Sequence, residues 1–327
     1  MSPQSIHHSV RKLRPSVRRG VLALVALVVL GAAGAATPGA QGARDQQRAM
    51  WVTVTHPDGA PVTGLAVDDF QVREDGVQRE VLRVEPATGP IEITLVVDTS
   101  DAASAYIADM RRAITDFIKE MASGNQIALT TFGGRPQVVQ GYTGSVELLT
   151  RAIGRLFAER GTGAYLLEAL VSVARGVTKR APDRAVIVAI LVRGAPEFSN
   201  QPHDNVVKAL RDSGAAFDAL VVESGPPAAL PQGSDQATAN RYVEAEGGVR
   251  ERDMVLDEGT RATGGQNVQA LSGMALTPEM KSIVAQLGNQ YRLVYSRPES
   301  LIPPEKIAVS VKKPGLTVRG TPVNPGG

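Results

Sequence analysis

The chain has 327 residues, 43% of them hydrophobic and 4% aromatic, enough apolar mass for one large domain or two modest ones and too much for a disordered or collagen-like chain. Its formal charge of +2 is misleading: Arg11, Lys12, Arg14, Arg18 and Arg19 crowd the first 35 residues without an acid, and the remainder sets 30 bases against 33 acids. That body has no positive field of the kind nucleic-acid binding needs, and with no cysteine it has no disulfide scaffold, thiolate zinc site, Cys nucleophile or lipid-modified N-terminal Cys.

Behind the basic start, residues 21–30 form an unbroken apolar run that leads into the small residues 31–36, the three-part layout of an export signal. Ala33-Gly34-Ala35 offers a cleavage site, and residues 40–43 a second. The run is short of the roughly 20 residues that span a bilayer, but its Gly/Ala continuation leaves an uncleaved anchor as the alternative. The chain is therefore expected to be exported, periplasmic or extracellular. Residues 1–35 are the signal or anchor and 36–48 the linker, and any membrane contact is through that N-terminal segment.

Next, β-branched alternation over 50–55, 67–72 and 77–84, with Asp75-Gly76 between the last two, predicts a β unit over 49–90; Asp-Gly is a strong hairpin signal. Such a unit is too small to bury a core alone. From Ile91 the period changes. Residues 91–97 read as a strand covered on both faces, and Ile107, Met110, Ile114, Phe117, Ile118 and Met121 follow at helical spacing. The alternation continues with strands over 126–132, 185–192 and 216–222 and helices over 146–157, 165–177 and 205–212. The reading is an α/β body over 91–296: a doubly wound, mostly parallel open sheet with helices on both faces, whose ligands belong at the carboxyl ends of its strands.

A Pro/Gly/Ala/Gln-rich stretch after Ser224 is expected to be a loop insertion over 224–250. A helix over 254–263 should stop at Gly264-Gly265, and another over 278–287 should start from Thr277 as its N-cap. Short strands over 291–295, 307–311 and 316–319 should join the early β unit in one β layer, residues 297–327 packing with 49–90.

The first body strand ends in Asp98-Thr99-Ser100-Asp101-Ala102. An acid and a hydroxyl two residues apart, just past a buried strand, face the crevice where an open sheet binds ligands, and such oxygens suit a hard cation such as magnesium. The same residue types also cap helices. Both readings stand on these residues alone.

The segment Thr94-Leu95-Val96-Val97-Asp98-Thr99-Ser100 resembles the first-strand motif of the von Willebrand factor type A domain, and Gly161-Thr162 with Glu168-Ala169-Leu170 resembles its second metal loop. Asp58-Gly59-Ala60-Pro61-Val62, Leu65, Asp69-Phe70 and Glu74-Asp75-Gly76 look like the lead-in of a bacterial exported group with flanking β segments. Ala262-Thr263-Gly264-Gly265 and Gln290-Tyr291-Arg292-Leu293-Val294-Tyr295 look like its closing segments. The resemblance covers about 49–320. It implies a metal-ion-dependent adhesion site, in which D-x-S-x-S, a Thr and a third-loop Asp surround magnesium and an acidic group of the partner completes the shell. Asp98, Ser100 and Thr162 match. Ala102 replaces the second serine, and Arg193-Gly194 stands where Asp-Gly is typical. A guanidinium cannot ligate a cation, so the expectation is a degenerate site in which Arg193 pairs with Asp98 and metal binding is lost or weakened. Residual magnesium binding through Asp98, Ser100, Thr162 and Asp101 is the alternative.

Other signals are weaker. Glu197 is a candidate rim contact or a solvated loop acid. His56 and His203 read as exposed turn residues, and His7 and His8 leave with the signal. Gly161-Thr162-Gly163 lacks the third glycine of a phosphate loop. The favoured function is a non-enzymatic adhesion-type module whose face around Asp98, Ser100, Thr162, Arg193 and Glu197 docks a protein partner, with no cofactor and no nucleic acid. A structural part in an envelope or surface assembly is the alternative, and an enzyme lacks a convincing nucleophile and base.

Overall fold

The structure is a computed structural model that describes residues 45–224, 233–298, 302, 304 and 306–322. The expected signal or anchor, and the linker up to residue 44, lie outside the described residues. Chain order is β1 (Asp45–Thr55), β2 (Phe70–Glu74), β3 (Val77–Arg79), β4 (Val81–Pro86), β5 (Glu92–Val97), α1 (Ile107–Met121), β6 (Gln126–Thr131), β7 (Gln137–Thr143), α2 (Val146–Gly154), α3 (Leu166–Arg180) and β8 (Ala185–Val192). Then come α4 (His203–Ser213), β9 (Ala216–Val222), α5 (Gln236–Met254), α6 (Thr260–Thr263), β10 (Asn267–Ala270), α7 (Leu276–Gly288), β11 (Tyr291–Pro298), β12 (Ile307–Val311) and β13 (Thr317–Pro322). Among the described residues no helix is long and apolar enough to cross a membrane.

The body is a six-stranded sheet in the order β10-β9-β8-β5-β6-β7, parallel except for β7. Every residue of β8 and β9 is buried, which is why both read as unbroken apolar runs. Helices α1, α2 and α7 share one apolar cluster with one face of the sheet, and α3 and α4 share another with the opposite face. The alternating helices of the sequence thus fall on both faces, as expected of a doubly wound fold.

The flanking strands do join in a β layer, hydrogen-bonded as two sheets, β13-β1-β11-β4 and β12-β2-β3. They share a second core built on Met50, Val52, Phe70, Val72, Leu293 and Tyr295. The expected body boundary at 296 is corrected, because β11 lies between β1 and β4 in the flanking sheet. Residues 77–84 divide into β3 and β4, residues 67–69 form a short 3-10 turn, and α2 stops at Gly154. Helix α7 starts at Leu276 behind Ala275, so Thr277 is not its cap; Pro278 sits in the first turn, where no N–H is needed.

The largest correction concerns 224–250. From Gln236 onward this stretch is α5, capped by Asp235 Oδ1, which accepts from Thr238 N at 2.8 Å. Helix α5 runs through a π-helical turn at Val255–Gly259 into α6, which ends at Gly264 with φ 76°. It buries only Ala245, Gly248 and Arg252, a stripe too small and too polar to show an apolar period. Strands β7 and β10 also lacked a signal, one being an exposed edge and the other four residues long.

Candidate functional site

At the carboxyl end of the sheet the loops are stitched to one another by backbone hydrogen bonds. Glu159 N donates to Thr99 O at 2.8 Å, Asp101 N to Thr162 O at 3.1 Å, Ala164 N to Pro196 O at 2.8 Å and Phe198 N to Ala164 O at 2.8 Å. Gly133 permits the tightest approach: a Cβ there would stand 2.1 Å from the carbonyl carbon of Thr99. The three loops expected to build the site are therefore brought together, and the backbone frame of the motif is present.

The side chains are arranged differently from the expectation. Asp98 is fully buried, and its two carboxylate oxygens accept from Ser100 N at 2.8 Å and Val192 N at 3.1 Å. It therefore shapes the turn after β5, as aspartates do by accepting from the residue two positions on. Burial pushes its pKa up, against the nearby Ser100 hydroxyl and N–H, Val192 N–H and the charge of Arg252. Ser100 is also fully buried, and its Oγ has no hydrogen-bond partner. Its hydroxyl caps no helix: the 3-10 turn that starts at Asp101 has Ser100 at its N-cap without a side-chain bond. Thr162 donates its hydroxyl to Glu159 O at 2.7 Å. Asp101 is exposed, and Ala102 contributes no oxygen.

Arg193 does not pair with Asp98. Its Nε donates to Glu223 Oε1 at 2.7 Å, and a terminal nitrogen lies 3.9 Å from Asp253 Oδ1. The parallel register explains this: Val192 sits opposite Val222, so Arg193 and Glu223 leave neighbouring strands side by side.

The cation inside the site is Arg252, which the sequence reading missed. It is 1% exposed and donates to Ala195 O at 2.9 Å and Arg193 O at 3.0 Å, with Asp253 Oδ1 3.2 Å away. Helix α5 thus inserts a guanidinium under the β8–α4 loop, and its charge acts on both Asp98 and Glu197.

Glu197 is neither a rim contact nor a solvated acid. At 1% exposure it accepts from Leu166 N at 3.1 Å and Ser199 N at 3.2 Å, holding the first turn of α3. A carboxylate belongs at that positive helix end, yet burial pushes its pKa up to about 7, with Ser199 and Arg252 opposing and Glu168 reinforcing. His203 is half-buried at the start of α4, with Nδ1 2.8 Å from Glu251 Oε2, and that bond raises its pKa. His56 is an exposed turn residue. Among the described residues no cluster of three or more His, Asp or Glu side chains is placed to hold a metal ion.

Residues 93–191 match the family model described as von Willebrand factor type A domain. Over these residues the chain is similar to the von Willebrand factor type A domain. Its strand-end loops are those in which Asp98, Ser100, Thr162 and Arg193 have been located. No curated protein sequence matches the chain. Among solved structures it is similar to the conserved hypothetical protein BatB from Bacteroides thetaiotaomicron, at 13% identity, 60% of this chain, 98% of that one and TM-score 0.40. It is similar to a von Willebrand factor type A protein from Catenulispora acidiphila, at 15%, 80%, 73% and 0.44. A third is the vWF domain of the type V pili tip protein Mfa5 from Porphyromonas gingivalis, at 14%, 60%, 96% and 0.39.

Proposed function

We propose that this von Willebrand factor type A-like domain is an exported, non-enzymatic protein-interaction module that binds its partner without a divalent cation. The observation that carries this reading is the donor set at the strand ends. Magnesium takes oxygen ligands in near-octahedral geometry and usually keeps several waters. Here Asp98 is enclosed by two N–H donors, the Thr162 hydroxyl is turned to Glu159 O, Ala102 has no oxygen, and Arg193 brings a guanidinium where the family has a carboxylate. One hydroxyl, Ser100 Oγ, is left for a ligand. These residues do not fit a magnesium ion. Export rests on the basic and apolar layout of residues 1–36.

The test is a magnesium and manganese titration of the purified protein, followed by calorimetry. No saturable binding is expected. Tight binding that disappears in Asp98→Ala would overturn the reading. Crosslinked partner capture from native envelopes should be the same with and without EDTA.

A further inference from the structure

Beside the motif loops lies an open cleft of about 520 Å³, formed by Tyr165 just before α3, the segment 197–202 and one face of α5. Two glycines set its shape. A Cβ on Gly248 would stand 2.2 Å from Glu197 O, so α5 can lie against this segment only without a side chain there. A Cβ on Gly163 would stand 2.4 Å from the Phe198 ring, which is therefore seated directly on the backbone of the second motif loop. Phe198 stands between Tyr165, with centroids 6.0 Å apart, and Tyr242, at 5.7 Å and nearly perpendicular. The ring order is the tilted and edge-on geometry that aromatic quadrupoles favour.

Three acidic residues line the cleft: Glu197 in its floor, held by Leu166 N and Ser199 N, Glu251 on α5, bonded to His203, and the exposed Glu244 two turns earlier on α5. Seven residues is close to two helical turns, so Glu244 and Glu251 lie on one face. The cationic side chain in the lining is Arg241, whose guanidinium stacks 4.7 Å from the Phe198 centroid and donates to Tyr165 Oη at 3.2 Å. The chain's own arginine thus displays what the wall attracts. A cation over an aromatic face gains from the ring quadrupole, and here carboxylates stand within the same enclosure.

We propose that this cleft receives an arginine or lysine side chain presented by the protein partner. The proposal rests on the interaction-module reading and deepens it by naming the partner's chemistry. The two cations nearest Asp98 are already engaged: Arg193 is paired with Glu223 and approached by Asp253, and Arg252 is buried on two carbonyls, whereas Arg135 and Arg160 stand exposed on the adjoining loops. The cleft offers the complementary chemistry. Its floor carboxyl is buried enough for its pKa to be pushed up to about 7, so an entering cation stabilises an ionised state that the enclosure alone disfavours. Asn200, Gln201 and Ser199 border the opening and can take the partner's backbone.

The test is a calorimetric and amide-shift titration of the full chain with a blocked hexapeptide containing one arginine, alongside its glutamine and glutamate analogues and maltotriose as a neutral polyol. The arginine peptide should bind about tenfold or more tightly than either analogue, and its affinity should fall with added salt. That preference should vanish in the Glu244→Gln/Glu251→Gln double variant and weaken in Phe198→Leu. Glu251 also holds His203 at the start of α4, so a loss in the double variant counts as a loss of binding only where the single variant Glu244→Gln, at an exposed position, shows the same change with an unaltered melting temperature. Equal affinity for the three peptides, undiminished binding by the double variant, or saturable binding of maltotriose alone would overturn the proposal. Envelope partner capture that survives in the double variant would overturn the cleft proposal and leave the interaction module intact. Capture that collapses in EDTA would overturn the metal-free reading instead.

Discussion

The β8–α4 loop has two ends of opposite character only a few residues apart. From Val192 to Ala195 the chain is closed on itself: Val192 N–H bonds Asp98, a buried guanidinium satisfies two carbonyls, and Arg193 is paired with Glu223. From Phe198 onward the same loop opens into the cleft against α5, where an aromatic row and carboxylates face solvent-accessible space. The closed end bears the recognisable motif, and the open end bears none. A motif inherited with a fold marks how backbone loops are tied together; the groups free to meet a partner are those the fold has not already satisfied.

The sharpest way to break that contrast is Arg252→Met. It removes donors from Arg193 O and Ala195 O and a charge that acts on buried Asp98 and Glu197. Removing one partner of a buried charge network costs about 3–5 kcal/mol. By comparison, Arg193→Gln alters a pair whose side chains are 32% and 28% exposed and should cost about 1 kcal/mol or less. Urea unfolding of the two variants measures both. Equal costs would mean that the closed end is held by the visible motif position and not by α5.

Glu197 stands at the junction of the two ends and gives the next effect. Its folded pKa of about 7 lies above the ordinary 4.5, so the folded protein keeps a proton that the unfolded chain releases. Its contribution is fully present below about pH 4.5 and is lost as pH rises through about 7, an effect of about 3 kcal/mol. His203, raised by Glu251, acts in the same direction, its contribution being lost as pH rises through its folded pKa. Stability should therefore fall between about pH 4.5 and 7, the window set by Glu197. Glu197→Gln keeps an acceptor for Leu166 N and Ser199 N and should flatten most of that slope in melts taken across the range. An unchanged slope would place the carboxyl in a more hydrated setting than the enclosed floor of the cleft.

The body was legible in the sequence because fully buried parallel strands must be apolar on both faces, and β8 and β9 are. Asp98 and Ser100 were legible as a strand-end pair, although the sequence does not tell whether a carboxylate meets a metal or its own backbone. Arg193 was correctly singled out but assigned the wrong partner, since Glu223 becomes its neighbour only once Val192 and Val222 are in register. Helix α5 was unreadable because its buried stripe is Ala245, Gly248 and Arg252. With α5 unread, the cleft was hidden too: its rings come from residues 165 and 198, with Tyr242 packed against Phe198, and only the tertiary fold brings them together.

The glycines of α5 sharpen the boundary between the closed and open ends. Gly248→Ala places a Cβ 2.2 Å from Glu197 O, a backbone atom that cannot turn aside. It should cost about 1–3 kcal/mol by forcing α5 away from the loop, although alanine is the better helix former. At Gly247 a Cβ meets nothing within 4 Å, so Gly247→Ala should gain up to about 1 kcal/mol. Opposite signs in thermal melts of adjacent substitutions would locate the contact surface of α5 to a single residue.

The smallest effect tests the closed end most directly. Ser100 Oγ is buried without a hydrogen bond of good geometry, and its influence on buried Asp98 is outweighed there by desolvation, so its removal takes little stability away. Ser100→Ala should therefore be neutral or stabilising, within about 1 kcal/mol. A ligand held by the native state stabilises it in proportion to the logarithm of its concentration over the dissociation constant. If Ser100 were a metal ligand, the wild-type chain would gain stability in magnesium and Ser100→Ala would not. The expected outcome is that the two proteins shift together, or not at all, when magnesium is exchanged for EDTA, because the charge at this end of the sheet is supplied from within by Arg252.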